Sequence, residues 1–270
     1  MHVNQLQLDD LYAVLQDLKA GEIGEDEAIQ RLECSPYWVW TAMDPDSKLL
    51  LVIDVGTRTL EIAQRVVHRV VQMLALDCVP LCLTDGHKDC KTAFLAHWGY
   101  WVQPGRTRDR GPVPKPRWMP LPELLYAQVV KSYRRQRIVG VTYRGVFGTL
   151  ERVQQVLSAC GRKINTAFVE RLNLDIRQRV AAVGRRVNTL CQGEDGFHQL
   201  VVFHAYHNFV LPHASLRQPW PVPEATNGTG SAKVWRSCTP AMAAGLTDHV
   251  WSLREVLMFR VPPWPQPQTI

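Results

Sequence analysis

Three acidic residues stand where their side chains could meet. Asp9, with Asp10 beside it, closes an alternating apolar–polar run at residues 3–9. Asp85 follows the apolar run at 79–84 and precedes Gly86, so the chain can turn sharply there and leave the carboxylate clear. Glu170 lies in a run of helical period, with Asn173 and Arg177 on the same stripe at i+3 and i+7. Taken singly, each acid has an ordinary reading: a strand-end Asp forms turns, and a helical Glu followed by Arg is a solvated surface residue. Taken together, they match the needs of Mg²⁺ or Mn²⁺, hard cations that take a few carboxylates, water and substrate phosphates. Paired ions of this kind generate a nucleophilic oxygen and stabilise the leaving one in phosphodiester chemistry.

The charge pattern adds a partner to this chemistry. The net charge is only +6, with 31 Lys plus Arg against 25 Asp plus Glu. Residues 1–30, however, carry seven acids and one Lys, whereas residues 131–190 carry thirteen Lys plus Arg and three acids. A basic middle surrounding Glu170 suits a polyanion, with a solvated basic helix face as the alternative.

The elements that must position these residues follow from periodicity. Residues 3–9 read as a half-buried strand ending at the acid pair, and residues 11–35 as an acidic helical insert. A hairpin spans 37–43 and 48–55 around the turn at 44–47, and a helix with one apolar face covers 59–74. A buried strand at 79–84 ends before Asp85, and a short helix follows at 91–98. Residues 103–122, with six Pro and five Lys or Arg, read as a basic loop. A strand within 136–147, helices at 149–160 and 166–187 and a mixed segment at 199–210 complete the expected catalytic domain, 1–215. Residues 216–270 read as a Pro/Gly-rich extension, opening with a linker at 216–235. The order implies an α/β fold with a mixed sheet, part antiparallel hairpin and part parallel continuation.

The segments Leu8-Asp9-Asp10, Trp38 to Thr59, Leu83-Thr84-Asp85-Gly86 and Ile164 to Gln178 resemble the catalytic core of insertion-sequence-one-type DDE transposases. The E-R-x-N-L-x-x-R-Q stretch beginning at Glu170 is the most specific part. The resemblance implies a ribonuclease-H-like sheet flanked by helices, here with a helical insert between its first two strands. It implies Asp9, Asp85 and Glu170 as catalytic, metal-binding acids for Mg²⁺-dependent cleavage at transposon ends and strand transfer into target DNA. It also implies DNA contacts from Arg134, Arg135, Arg137, Arg171, Arg177, Arg179, Arg185 and Arg186, and a homo-oligomer on DNA. The chain departs from the pattern in its insert and in lacking a zinc finger or helix-turn-helix before the first strand. Asp54, in Val52-Ile53-Asp54-Val55-Gly56, is a rival first acid. A domesticated or truncated transposase that binds DNA or a protein without catalysis is the alternative, and a ribonuclease-H-like nuclease of other specificity is a third.

Several classes are excluded or disfavoured. No run of 18 apolar residues exists, so no transmembrane helix is expected, and the N-terminal residues lack signal-peptide character. Seven scattered Cys without a C-x-x-C pair suggest neither a zinc ribbon nor a disulfide framework, and reduced thiols imply a cytoplasmic protein; the resemblance adds nucleoid association when on DNA. Trp38, Trp40, Trp98 and Trp101 read as packing residues, and Trp118 as either a structural or a base-stacking residue.

Overall fold

The computed structural model describes residues 1–13, 37–105, 114–135, 137–184, 194–226, 228 and 230–260. Its centre is a mixed six-stranded sheet flanked by helices, an α/β fold. Strands β1 (Gln5–Tyr12), β2 (Trp38–Met43) and β3 (Leu50–Gly56) form an antiparallel meander. On the other side of β1, strands β4 (Leu81–Thr84) and β7 (Tyr126–Arg134) run parallel to it, and β8 (Arg137–Phe147) pairs antiparallel with β7. The order across the sheet is β3-β2-β1-β4-β7-β8. Strand β2 is buried at every position, which is why its sequence, Trp-Val-Trp-Thr-Ala-Met, runs apolar without alternating.

Helix α1 (Leu60–Met73) packs through Ile62, Ala63, Val66, Val67 and Val70, the stripe that its 3.6-residue period creates. Helix α2 (Asp89–His97) lies against α1 and leads into a small antiparallel ribbon of β5 (Gly99–Val102) and β6 (Arg117–Pro120). Helix α3 (Leu150–Ala159), capped by the Thr149 hydroxyl, places Val153 and Leu157 against Leu81, Leu83, Ala127 and Val129 of the sheet. Helix α4 (Ala167–Arg179) covers β1 and β2.

The docking of α4 explains a departure from the expected half-buried first strand. Gln5 and Gln7, the polar positions of the alternation, are buried with their apolar neighbours. Gln7 donates its amide N–H to the Asn165 carbonyl at 2.9 Å, and its Oε1 accepts the Val169 backbone N–H at 3.1 Å. Val169 is the third residue of α4, so its N–H has no partner within the helix. A side chain from the strand therefore caps the helix, while Asn165 Oδ1 accepts the Ala167 N–H. Arg162, just upstream, donates to Gln5 Oε1 at 3.2 Å and pairs with Asp46.

Four further expectations change. Strand β1 continues to Tyr12, so Asp9 and Asp10 lie within it and not at its end, and the insert cannot begin at residue 11. Residues 14–36, which hold the rest of that expected insert, lie outside the described residues. Part of the expected basic loop is strand β6, whose Trp118 faces Trp101 across the ribbon; both are exposed, so Trp101 packs within a strand pair and not in the core. The expected linker at 216–235 contains the paired strands β9 (Gln218–Glu224) and β10 (Lys233–Arg236). Pro219, Pro221 and Pro223 recur every second residue, which removes donors from one edge and leaves the other able to pair.

The chain divides into two compact units, Met1–Val201 and Val202–Ile270, with helix α5 (His198–Ala205) running through the division. In the second unit, Arg217 and Arg236 lie over the rings of Trp235 and Trp220, and α6 (Pro240–Ala243) and α7 (Leu253–Met258) begin at Thr239 and Ser252 caps. His207 is buried there beside Phe203. The described Cys78, Cys82, Cys90, Cys160 and Cys238 are free thiols, all buried but Cys160. Among the described residues, no helix is long and apolar enough to cross a membrane.

Replacing Gln7 by Leu would leave the Val169 N–H and the Asn165 carbonyl unpaired in a buried place. A loss of about 1–3 kcal/mol is expected in urea denaturation. A variant as stable as the wild type would show that the helix does not depend on this cap.

Candidate active site

The parallel pairing of β1 with β4 runs to Leu8 and Thr84, so the next residue on each strand, Asp9 and Asp85, comes to one level. Glu170 approaches from α4, and all three acids line one open pocket together with Arg58, Lys131 and Thr166. Helix packing sets this geometry. Asn173, one turn beyond Glu170, donates its amide to Asp9 Oδ2 at 2.9 Å, and its Oδ1 accepts from the buried Thr41 hydroxyl at 2.9 Å. Strand β2 thus orients Asn173, and Asn173 orients Asp9.

Every carboxylate has a fixed polar partner. Arg58, from the turn after β3, donates through Nε to Asp10 Oδ2 at 3.0 Å and lies 3.6 Å from Asp85 Oδ2. Its guanidinium also rests over the Trp38 ring, 4.9 Å from the centroid, which restricts its rotamers. Asp85 Oδ1 accepts the His87 backbone N–H at 3.0 Å, closing the β4–α2 turn. Glu170 is held by the Lys131 ammonium and accepts from the Thr166 hydroxyl. Below this layer, Gln128 donates to the His87 carbonyl at 3.1 Å and to Tyr126 Oη, which meets the Thr84 hydroxyl at 2.9 Å. Those buried bonds brace the turn that carries Asp85.

The electrostatics follow from burial and crowding. Burial pushes the Asp9 carboxyl well above the usual carboxylate range, and the charges of Asp85 and Asp10 push it further. Asp10 is raised to about 6, again mainly by burial, with Arg58 acting in the opposite direction. His87 is held below the usual imidazole range by burial and then by Arg58, and its ring meets that of Trp40 edge to face. Among the described residues, no three His, Cys, Asp or Glu side chains are gathered as a metal cage. The donor set nonetheless suits a hard divalent cation, because its oxygens are crowded and anionic and a cation would relieve the repulsion on Asp9.

The other expected site residues are dispersed. Asp54 lies on β3, opposite Trp40, and is paired with Arg65 at 2.7 Å and Arg69 at 3.1 Å, outside the acid pocket. Arg134 and Arg137 face each other at the β7–β8 turn with Arg135 between them, all exposed. Arg171 is exposed and 3.8 Å from Asp175, Arg177 is half-buried, and Arg179 is exposed. Arg185 and Arg186 lie outside the described residues. Arg58, Lys131, Thr166 and Gln128 were not anticipated as site residues. Only Arg58 carried a local hint, in the Gly56-Thr57-Arg58-Thr59 turn. Comparison of the chain with family models, curated proteins and solved structures gives no match.

The raised carboxyls predict a pH effect of definite sign. The folded state holds these protons more tightly than the unfolded chain, so their contribution is intact below about pH 4 and is lost as pH rises through the folded-state values, about 6 for Asp10. Asp9→Asn keeps an acceptor for Asn173 but removes the buried charge. It should be more stable than the wild type by about 0.5–2 kcal/mol at neutral pH, with the difference closing toward pH 4. Urea titrations across this range check the effect, and a D9N protein less stable at neutral pH would contradict it.

Proposed function

We propose that this chain is a DDE-type DNA transposase with a ribonuclease-H-like catalytic unit. The observation that carries the reading is the single pocket lined by Asp9 from a central strand, Asp85 after its parallel neighbour and Glu170 from the helix across them. The sheet order, with an antiparallel meander on one side of β1 and parallel strands on the other, supports it. So does the basic β7–β8 turn with Arg134, Arg135 and Arg137, which suits DNA phosphates and implies an affinity that falls steeply with salt.

In this reading Asp9, Asp85 and Glu170 would hold Mg²⁺ or Mn²⁺, which when bound would supply an activated water and a Lewis acid for the leaving oxygen. Asn173 and Thr41 fix the orientation of Asp9, so its carboxylate needs little rearrangement. Arg58 holds Asp10 and Asp85 in register. Lys131, which pairs with Glu170 and lines the pocket, would face the incoming phosphate. The freed 3′-hydroxyl then attacks a phosphodiester of target DNA, forming one ester bond as another breaks. Paired ends call for a homo-oligomer on DNA.

A second reading, a descendant that binds DNA or a protein without catalysis, is favoured by one observation. Arg58 and Lys131 already neutralise the acids, as they would in a site that no longer takes a metal. Incubation of labelled element-end duplex with Mg²⁺ or with EDTA separates the two. The proposed enzyme cleaves only with Mg²⁺, and Asp85→Ala abolishes cleavage while DNA affinity stays within about twofold, since the acids contribute little to backbone contacts. Undiminished cleavage by D85A would overturn the assignment, and a wild type that binds the duplex without cutting it would favour the second reading.

A further inference from the structure

Gly86 adjoins three depressions, the acid pocket among them. A second is lined by Lys88, Lys91, Gln128 and Arg144. Its chemistry is the opposite of its neighbour's. Arg58 and Lys131 in the acid pocket are paired with carboxylates, whereas Lys88, Lys91 and Arg144 have no ion-pair partner among the described residues. Arg144 stands opposite Gln128 in the β7–β8 pairing, and the lysines come from the start of α2, so three separate backbone segments converge. Gln128 is engaged with the His87 carbonyl and Tyr126, so it forms the wall and the cations are left for a ligand.

Gly86 lines both pockets. Its φ is not in the left-handed region, and a Cβ there would meet only Val130 at 3.5 Å, an ordinary contact. Neither backbone strain nor packing requires glycine at this position. Because Gly86 lines both the acid pocket and the basic pocket, no side chain stands between them at this residue.

Building on the proposed function, we propose that the Lys88–Lys91–Arg144 pocket is a phosphate subsite for the DNA strand, holding a backbone phosphate beside the one presented to the acids. Convergent cations without acceptors recognise a phosphodiester by charge and by donated hydrogen bonds, and Arg adds a planar fork that fits two phosphate oxygens. The subsite fixes where along the strand the acids act and carries no sequence preference.

The test is fluorescence anisotropy of a labelled DNA duplex with a single-stranded extension, bound by the full chain in EDTA. K91Q/R144Q is compared with R152Q/K163Q, which removes two exposed cations elsewhere on the same unit. K91Q/R144Q should weaken binding about tenfold at moderate salt and reduce the slope of log affinity against log salt by about 1–2. The control pair should change affinity less than about twofold, and the charge-preserving K91R/R144K should restore most of the loss. Equal losses in the two neutralised pairs, or none in K91Q/R144Q, would overturn the subsite while leaving the proposed function intact. A wild type without affinity for the duplex would overturn both. Unchanged thermal midpoints show that the variants are folded.

Discussion

The buried contact between Gln7 and the start of α4 is the constraint on which the site rests. One amide side chain in the central strand supplies both a donor to the Asn165 carbonyl and an acceptor for the Val169 N–H. Such a two-way bond fixes the helix in translation along β1 as well as in distance. With that register set, Glu170 and Asn173 fall over Asp9, and Thr41 on β2 locks Asn173 from below. A helix held only by the apolar contacts of Val169, Leu172 and Ile176 would tolerate sliding, because dispersion contacts are not directional. Polar satisfaction in the core therefore specifies the geometry of the acids.

The second consequence is electrostatic. Asp10, Asp85 and Glu170 each add repulsion on Asp9 where α4 meets the sheet, and burial raises the cost of charging Asp9 and Asp10. The fold answers with Arg58 and Lys131, each reaching from a different element. These cations offset the repulsion among the acids, and under the proposed function they are the groups that a phosphate or a divalent cation would re-partner. Crowding these carboxylates costs local stability, which is the pattern expected where stability and activity compete.

Much of this was legible in the sequence where the signal was local. The β2–β3 hairpin followed from apolar runs around Asp44-Pro45-Asp46-Ser47, and α1 from its helical stripe. Asp85 followed from its place after an apolar run and before Gly86. The rest depended on pairings distant in the chain. Gln7 read as a solvent-facing position because alternation reports a strand's two faces and not what covers them. Lys131 and Glu170, 39 residues apart, belong to different elements, and no local pattern links them. Asp9 looked like a strand end because its acidity broke the apolar run, whereas the strand continues past it through Leu11 and Tyr12. The Pro-rich 216–235 stretch misled for the converse reason, since the spacing of its prolines, and not their number, decides whether a strand can form.

The central claim is that crowded, buried carboxylates make a site for a divalent cation. Calorimetric titration with Mn²⁺ near pH 6, repeated in buffers of differing ionisation heat, tests it directly. Burial and the charges of Asp85 and Asp10 raise the Asp9 carboxyl well above its usual range, so cation binding there is coupled to loss of its proton. The account predicts saturable binding with net proton release, lost in Asp9→Asn. Absence of saturable binding, or the same binding and proton release in the variant, would contradict it.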